Sequence, residues 1–149
     1  MKEKIIVSLA RFVPLLLLPF LAACTDQRAT FEIEGGAHSL SLIRITSTPW
    51  ARRAQYFVVA SRMPDCTRRH AMPDAGINAR VEVFAPGNDA WILRQSNRMY
   101  VVETRTCERF AQLDAVPESG LGTPMGIFQM QDDELVFVPA SQAGTPEAP

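Results

Sequence analysis

The sequence predicts a mostly β domain: one small antiparallel barrel or two-layer sandwich of about seven or eight strands. Three observations lead there. Beyond residue 24 no stretch keeps a 3.6-residue apolar period for three turns, which removes the signature of an amphipathic helix. Short runs of alternating apolar and polar residues recur instead, separated by turn chemistry such as Pro86-Gly87-Asn88-Asp89. The whole chain is 149 residues and 47% hydrophobic, but residues 24–149 alone are about 43% hydrophobic, ordinary for one soluble domain and too few for two.

The first element is the apolar N-terminus. Lys2, Lys4 and Arg11 form a positive flank, and Phe12 to Leu21 form an apolar run of signal-peptide length. Pro14 and Pro19 interrupt that run, and each would remove a hydrogen bond from a stable spanning helix. The run ends Leu21-Ala22-Ala23-Cys24, which resembles the lipobox of bacterial lipoproteins. The resemblance implies cleavage between Ala23 and Cys24 and a diacylglycerol on the Cys24 thiol. It also implies a further acyl chain on the new amino group, a stable anchor that does not span the bilayer. An uncleaved membrane anchor is the competing reading. Thr25 follows the cysteine where an aspartate would favour the inner membrane, so the expected address is the periplasmic side of a Gram-negative outer membrane. Asp26, one place later, keeps the inner membrane as the alternative.

With Cys24 assigned to lipid, Cys66 and Cys107 remain. In an oxidising periplasm two such cysteines are expected to form a disulfide, which staples the predicted fold. The alternative is a metal site, because Cys66 and His70 lie four apart, but His38 is the only other histidine and no second Cys/His cluster supports it. No metal and no cofactor are therefore expected.

The expected organisation is a signal peptide over 1–23, acylated Cys24 and a polar tether over 24–30, a β domain over 31–138 and a disordered tail over 139–149. Within the domain, residues 31–34 and 39–46 read as a hairpin, with a β-bulge where the alternation slips between Leu42 and Ile43. Residues 47–54 read as a loop and Gln55–Arg62 as a strand. Residues 63–78, with Pro64, Pro73 and Gly76, read as a long loop with one helical turn at 67–71. A strand follows at 79–85. Two four-two-four hairpins are expected, at 92–101 around Ser96-Asn97 and at 128–137 around Asp132-Asp133. Residues 107–113 fit a short helix or a strand, and 117–124 a flexible loop.

Charge is segregated. Residues 24–149 hold 12 arginines, no lysine and 15 acids; the arginines concentrate between Ile43 and Arg109, and no basic residue follows Phe110. Arginine's planar fork suits carboxylates and phosphates. Arg52 and Arg53 beside Trp50, and Arg68 and Arg69 beside His70, fall in predicted loops; these four arginines and Trp50 are the candidate contacts for an anionic partner. A solvated surface pairing internally with the acidic C-terminal part is the plainer reading. A net acidic domain argues against nucleic acid.

Catalytic signals are thin. No serine sits in a GxSxG turn, no glycine-rich phosphate loop is present, and His70 with Asp65 or Asp74 is the single base–acid neighbourhood. The expected function is a lipid-anchored, non-enzymatic accessory or binding module for an envelope protein, peptidoglycan or lipopolysaccharide. The alternatives are a periplasmic inhibitor, similar in role to the lysozyme-inhibitor lipoproteins, and a small hydrolase using His70.

Overall fold

A computed structural model describes residues 25–142. The expected signal peptide over 1–23, the expected acylation site Cys24 and residues 143–149 of the expected tail lie outside the described residues. Ten strands follow one another: β1 (Thr25–Glu32), β2 (His38–Thr46), β3 (Arg53–Arg62), β4 (Cys66–Gly76), β5 (Val81–Gly87), β6 (Ala90–Gln95), β7 (Arg98–Glu103), β8 (Phe110–Leu113), β9 (Thr123–Gln131) and β10 (Glu134–Pro139). They form two antiparallel sheets, one ordered β1-β2-β3-β4 and the other β10-β9-β5-β6-β7-β8, with no closed barrel.

One core lies between the sheets. Alternation puts Leu40, Leu42, Tyr56 and Val58 of the first sheet against Val83, Leu93, Val102 and Phe128 of the second. Aromatic stacks close both seams where the sheets meet without shared ladder bonds. At the β1/β10 seam, Phe31 stacks on Phe137 at 4.7 Å and meets Trp91 edge-on at 5.6 Å. At the β4/β8 seam, Tyr100, Phe110 and His70 stack in series at 5.5 and 5.1 Å. The Cys66–Cys107 disulfide staples that second seam, as the sequence predicts. In the chain-entropy picture, a closure of 41 residues contributes about 4 kcal/mol.

Several sequence expectations are corrected. Residues 25–30 are not a tether but most of β1, in register with β2 from Thr25 against Thr46 to Glu32 against Ser39. β1 is an edge strand that faces the core with Ala29 and Phe31, so it needs few apolar residues. Residues 63–78 are not a long loop, because β4 occupies Cys66–Gly76 and leaves no helical turn at 67–71. β4 is likewise an edge, and Pro73, which cannot donate to a ladder, falls in the register shift opposite Ala54/Tyr56.

No register shift separates Leu42 from Ile43. Both are buried because β2 is an interior strand, with Leu42 in the core and Ile43 on the opposite face. Cys107 has a φ of 60°, which no right-handed helix adopts, so residues 107–113 hold a strand only from Phe110. Finally, Pro139 closes β10 opposite Gly126 rather than opening a disordered tail.

The expected two-residue turns are present. Asp132 and Asp133 both adopt positive φ, 49° and 64°, the geometry that matches strand twist in a tight hairpin. Asn88 and Asp89 do the same between β5 and β6, at 57° and 58°. The β8–β9 connection has a larger task, since it must pass β7, β6 and β5 to reach β9's place in the sheet. It ends at Gly122, where a Cβ would stand 2.2 Å from the Ala85 carbonyl oxygen and φ is +85°. On this outer side Ile92 is only 1% exposed although it points away from core Leu93.

Candidate functional site at the disulfide end

The molecule has two ends with different chemistry. β1 begins at one end, together with the β2–β3 connection and the Asp132-Asp133 turn. The disulfide lies at the other, with the β5–β6 turn and the residues linking β7 to β8.

At the disulfide end, Thr104 is fully buried and organises a polar network. Its hydroxyl donates to the Asp89 carbonyl at 3.2 Å and accepts from Trp91 Nε1–H at 3.2 Å. One lone pair remains, and His38 Nε2 stands 2.9 Å from it. With the hydroxyl proton committed to Asp89, Nε2 carries the proton and donates. His38 Nδ1 is then left facing Arg62 Nη2 at 3.5 Å and Glu34 Oε2 at 3.4 Å. Arg62 also pairs with the Asp89 carboxylate at 2.5 Å, and Arg105 approaches the same carboxylate at 3.5 Å. Asp89 thus gathers two arginines while its backbone carries Thr104.

Beside this network an open depression of about 580 Å3 is lined by Pro86, Gly87, Asn88, Glu103, Arg105 and Arg109, among others. Burial tends to raise the Glu103 pKa. Hydrogen bonds from the Thr106 hydroxyl and amide, both 2.8 Å, and the nearby Arg105 charge outweigh it and hold the carboxyl below the usual range. Glu103 is therefore ionised and occupied by Thr106. Among the described residues the Arg109 guanidinium has no hydrogen-bond or ion-pair partner, so its full set of donors is open to an anion entering the depression.

The arginines expected to act together are divided. Arg53 pairs with Gly76 and Arg69 with Val59, so six residues of β3, about 20 Å, separate the two arginine pairs. Arg52, Arg53 and Trp50 lie at the end where β1 begins. Trp50 is 79% exposed, and the Arg53 guanidinium donates to the Asp74 carbonyl. Arg68 and Arg69 point to opposite faces of β4, and Arg69 lies 3.6 Å over the Phe57 ring.

His70 does not pair with Asp65 or Asp74. Its Nε2–H donates to the Cys107 carbonyl at 2.9 Å and its ring stacks on Phe110, so it ties β4 to the disulfide segment. Cys66 is spent in the disulfide and offers no thiolate, which removes the Cys66/His70 metal alternative. The described residues contain no group of three or more His, Cys, Asp or Glu side chains placed to hold a metal ion.

His38, Arg62, Asp89 and Thr104 were not visible as a group in the sequence. They sit on four separate segments, and no local motif joins them. Compared with protein-family models, curated proteins and solved structures, the chain has no match.

Proposed function

We propose that this chain is a lipid-anchored, non-enzymatic binding module of the Gram-negative outer membrane, facing the periplasm. Its disulfide end takes an anionic group of an envelope partner, a carboxylate or phosphate carried by a protein, peptidoglycan or lipopolysaccharide. The sequence Leu21-Ala22-Ala23-Cys24 supports the anchor. The observation that carries the binding end is Arg109, whose unpaired guanidinium lines a depression at the end of the fold opposite Thr25. Because β1 starts at Thr25, an acylated Cys24 holds the opposite end at the bilayer and points the Arg105/Arg109 depression toward the periplasmic space. Arg105, exposed and 3.5 Å from the Asp89 carboxylate, is the second arginine that lines the depression.

A photo-crosslinking side chain at Ser119, which lines the depression, is expected to capture a partner in intact cells. The same probe at Ser96, in the β6–β7 turn at the other end, is expected to capture none, and R105Q/R109Q should abolish the Ser119 product. Equal capture at both positions, or a Ser119 product unaffected by R105Q/R109Q, overturns the binding assignment. An N-terminal peptide of the membrane-purified protein that carries no acyl group on Cys24, read by mass spectrometry, overturns the anchor.

A further inference from the structure

The proposed acyl anchor leaves Trp50, Arg52 and Arg53 without a role, yet the register puts them beside it. Thr25 is the Cα partner of Thr46, the last residue of β2. Cys24 directly precedes Thr25 in the sequence, so one peptide bond joins the proposed acylation position to this end of β1. The chain from Thr46 onward therefore leaves the sheet next to the acylation position and returns at Arg53. Its tip carries the most exposed large apolar side chain among the described residues, Trp50 at 79%, where Met63 and Val116 reach 56% and 55%. Arg52 is exposed with no partner for its guanidinium, and Arg53 is exposed with one bond to a carbonyl, so neither charge is neutralised by a carboxylate.

Indole prefers the headgroup level of a bilayer, where its ring is half dehydrated and its N–H stays hydrogen-bonded. Arginine forks match lipid phosphates. Acidic groups lie at the same end: Asp26 on β1, Asp74 on β4, and the Asp132-Asp133 turn, which Gln27 holds against β1. That turn belongs to β9 and β10, and β1 stands between it and the β2–β3 connection. Across β1, the hairpin side therefore carries Arg52 and Arg53 with Asp74 beside Arg53, and the other side carries Asp132 and Asp133 with Arg80 as a neighbour.

We propose that residues 47–53 form a second membrane contact, in which Trp50 enters the headgroup region of an anionic bilayer while Arg52 and Arg53 engage lipid phosphates. The contact rests on the acyl-anchor reading and deepens it. It turns a swivelling lipid tether into a two-point attachment, with the hairpin side of the first sheet against the lipid and the acidic turn tilted away.

The test uses the full chain purified from membranes and reconstituted in phosphatidylcholine/phosphatidylglycerol vesicles, some with brominated acyl chains. Mass spectrometry of the N-terminal peptide reads the anchor, and tryptophan emission reads the hairpin. Trp91, buried in the core at 7% exposure, is the internal reference. Bromolipid is expected to quench the wild-type emission, and the quenched component should be lost in Trp50→Phe. Each arginine at an anionic surface strengthens the contact about five-fold, so R52Q/R53Q should weaken hairpin engagement about 25-fold and lose most of the quenching. An acylated chain that bromolipid does not quench overturns this inference and leaves the anchor standing. Quenching that survives Trp50→Phe, or that R52Q/R53Q leaves unchanged, also overturns it. An N-terminal peptide without acyl chains overturns the anchor and the second contact together.

Discussion

Thr104 shows how much a single buried hydroxyl can carry. It serves three partners: the Asp89 carbonyl takes its proton, while Trp91 and His38 donate to its lone pairs. Thr104→Val keeps the shape but leaves two ring N–H groups without an acceptor in a site with 0% exposure. It is expected to cost about 2 kcal/mol, read as a lower urea midpoint at unchanged slope, and Thr104→Ser, which keeps the hydroxyl, should recover most of it. No sequence signal marks this residue. A threonine becomes a hub only when two other segments of the chain, one with His38 and one with Asp89 and Trp91, deliver ring nitrogens and a carbonyl to it. The histidine that did stand out in the sequence, His70, serves structure at this point, donating to Cys107 and stacking on Phe110.

At the scale of elements, the end of β7 carries a pH-sensitive contact. Thr106 donates twice to Glu103, and these bonds, with Arg105 close by, hold the Glu103 pKa below its ordinary value against the opposing effect of burial. A depressed folded-state pKa stabilises the fold above the unfolded-state value, and that contribution disappears as pH falls through the depressed one. Glu103→Gln is therefore expected to be less stable than the wild type at neutral pH. The gap should narrow as the pH drops below the usual carboxylate range, in thermal melts run side by side. A gap independent of pH would count against the ionic origin of the contact.

Elements also differ in how legible they were. The hairpins around Ser96-Asn97 and Asp132-Asp133 could be read directly, because a two-residue turn and period-two alternation are both local. β4 could not, and of β1 only Phe31 and Glu32 were read, as part of the first hairpin. Both are edge strands with one ladder neighbour, and Thr25-Asp26-Gln27 and Thr67-Arg68-Arg69 contain nothing that local pattern separates from loop. Pro73 inside β4 argued against a strand, and only pairing with β3 shows that it occupies a bulge.

On the scale of the whole molecule, the two sheets share one core and cannot lose it separately. Phe31 spans the β1/β10 seam, stacked on Phe137 and edge-on to Trp91. Phe31→Ala is expected to cost about 3 to 5 kcal/mol, while Trp91 fluorescence and far-ultraviolet circular dichroism still report one coincident unfolding transition. Two separated transitions would mean that the sheets fold independently.

The sequence by itself determined the class of fold and the tight turns, since alternation and turn residues act over a few neighbours, and it left Cys66 and Cys107 to pair once Cys24 is read as the lipid site. The tertiary structure decided that the arginines, close in sequence, serve opposite ends. Antiparallel pairing of β3 with β4 carries Arg53 and Arg69 apart along the strands, whatever their spacing in the chain. It also decided that Arg105 and Arg109, unremarkable as letters, line the depression at the disulfide end. Sheet register is a long-range property, set by burial of one face of every strand at once.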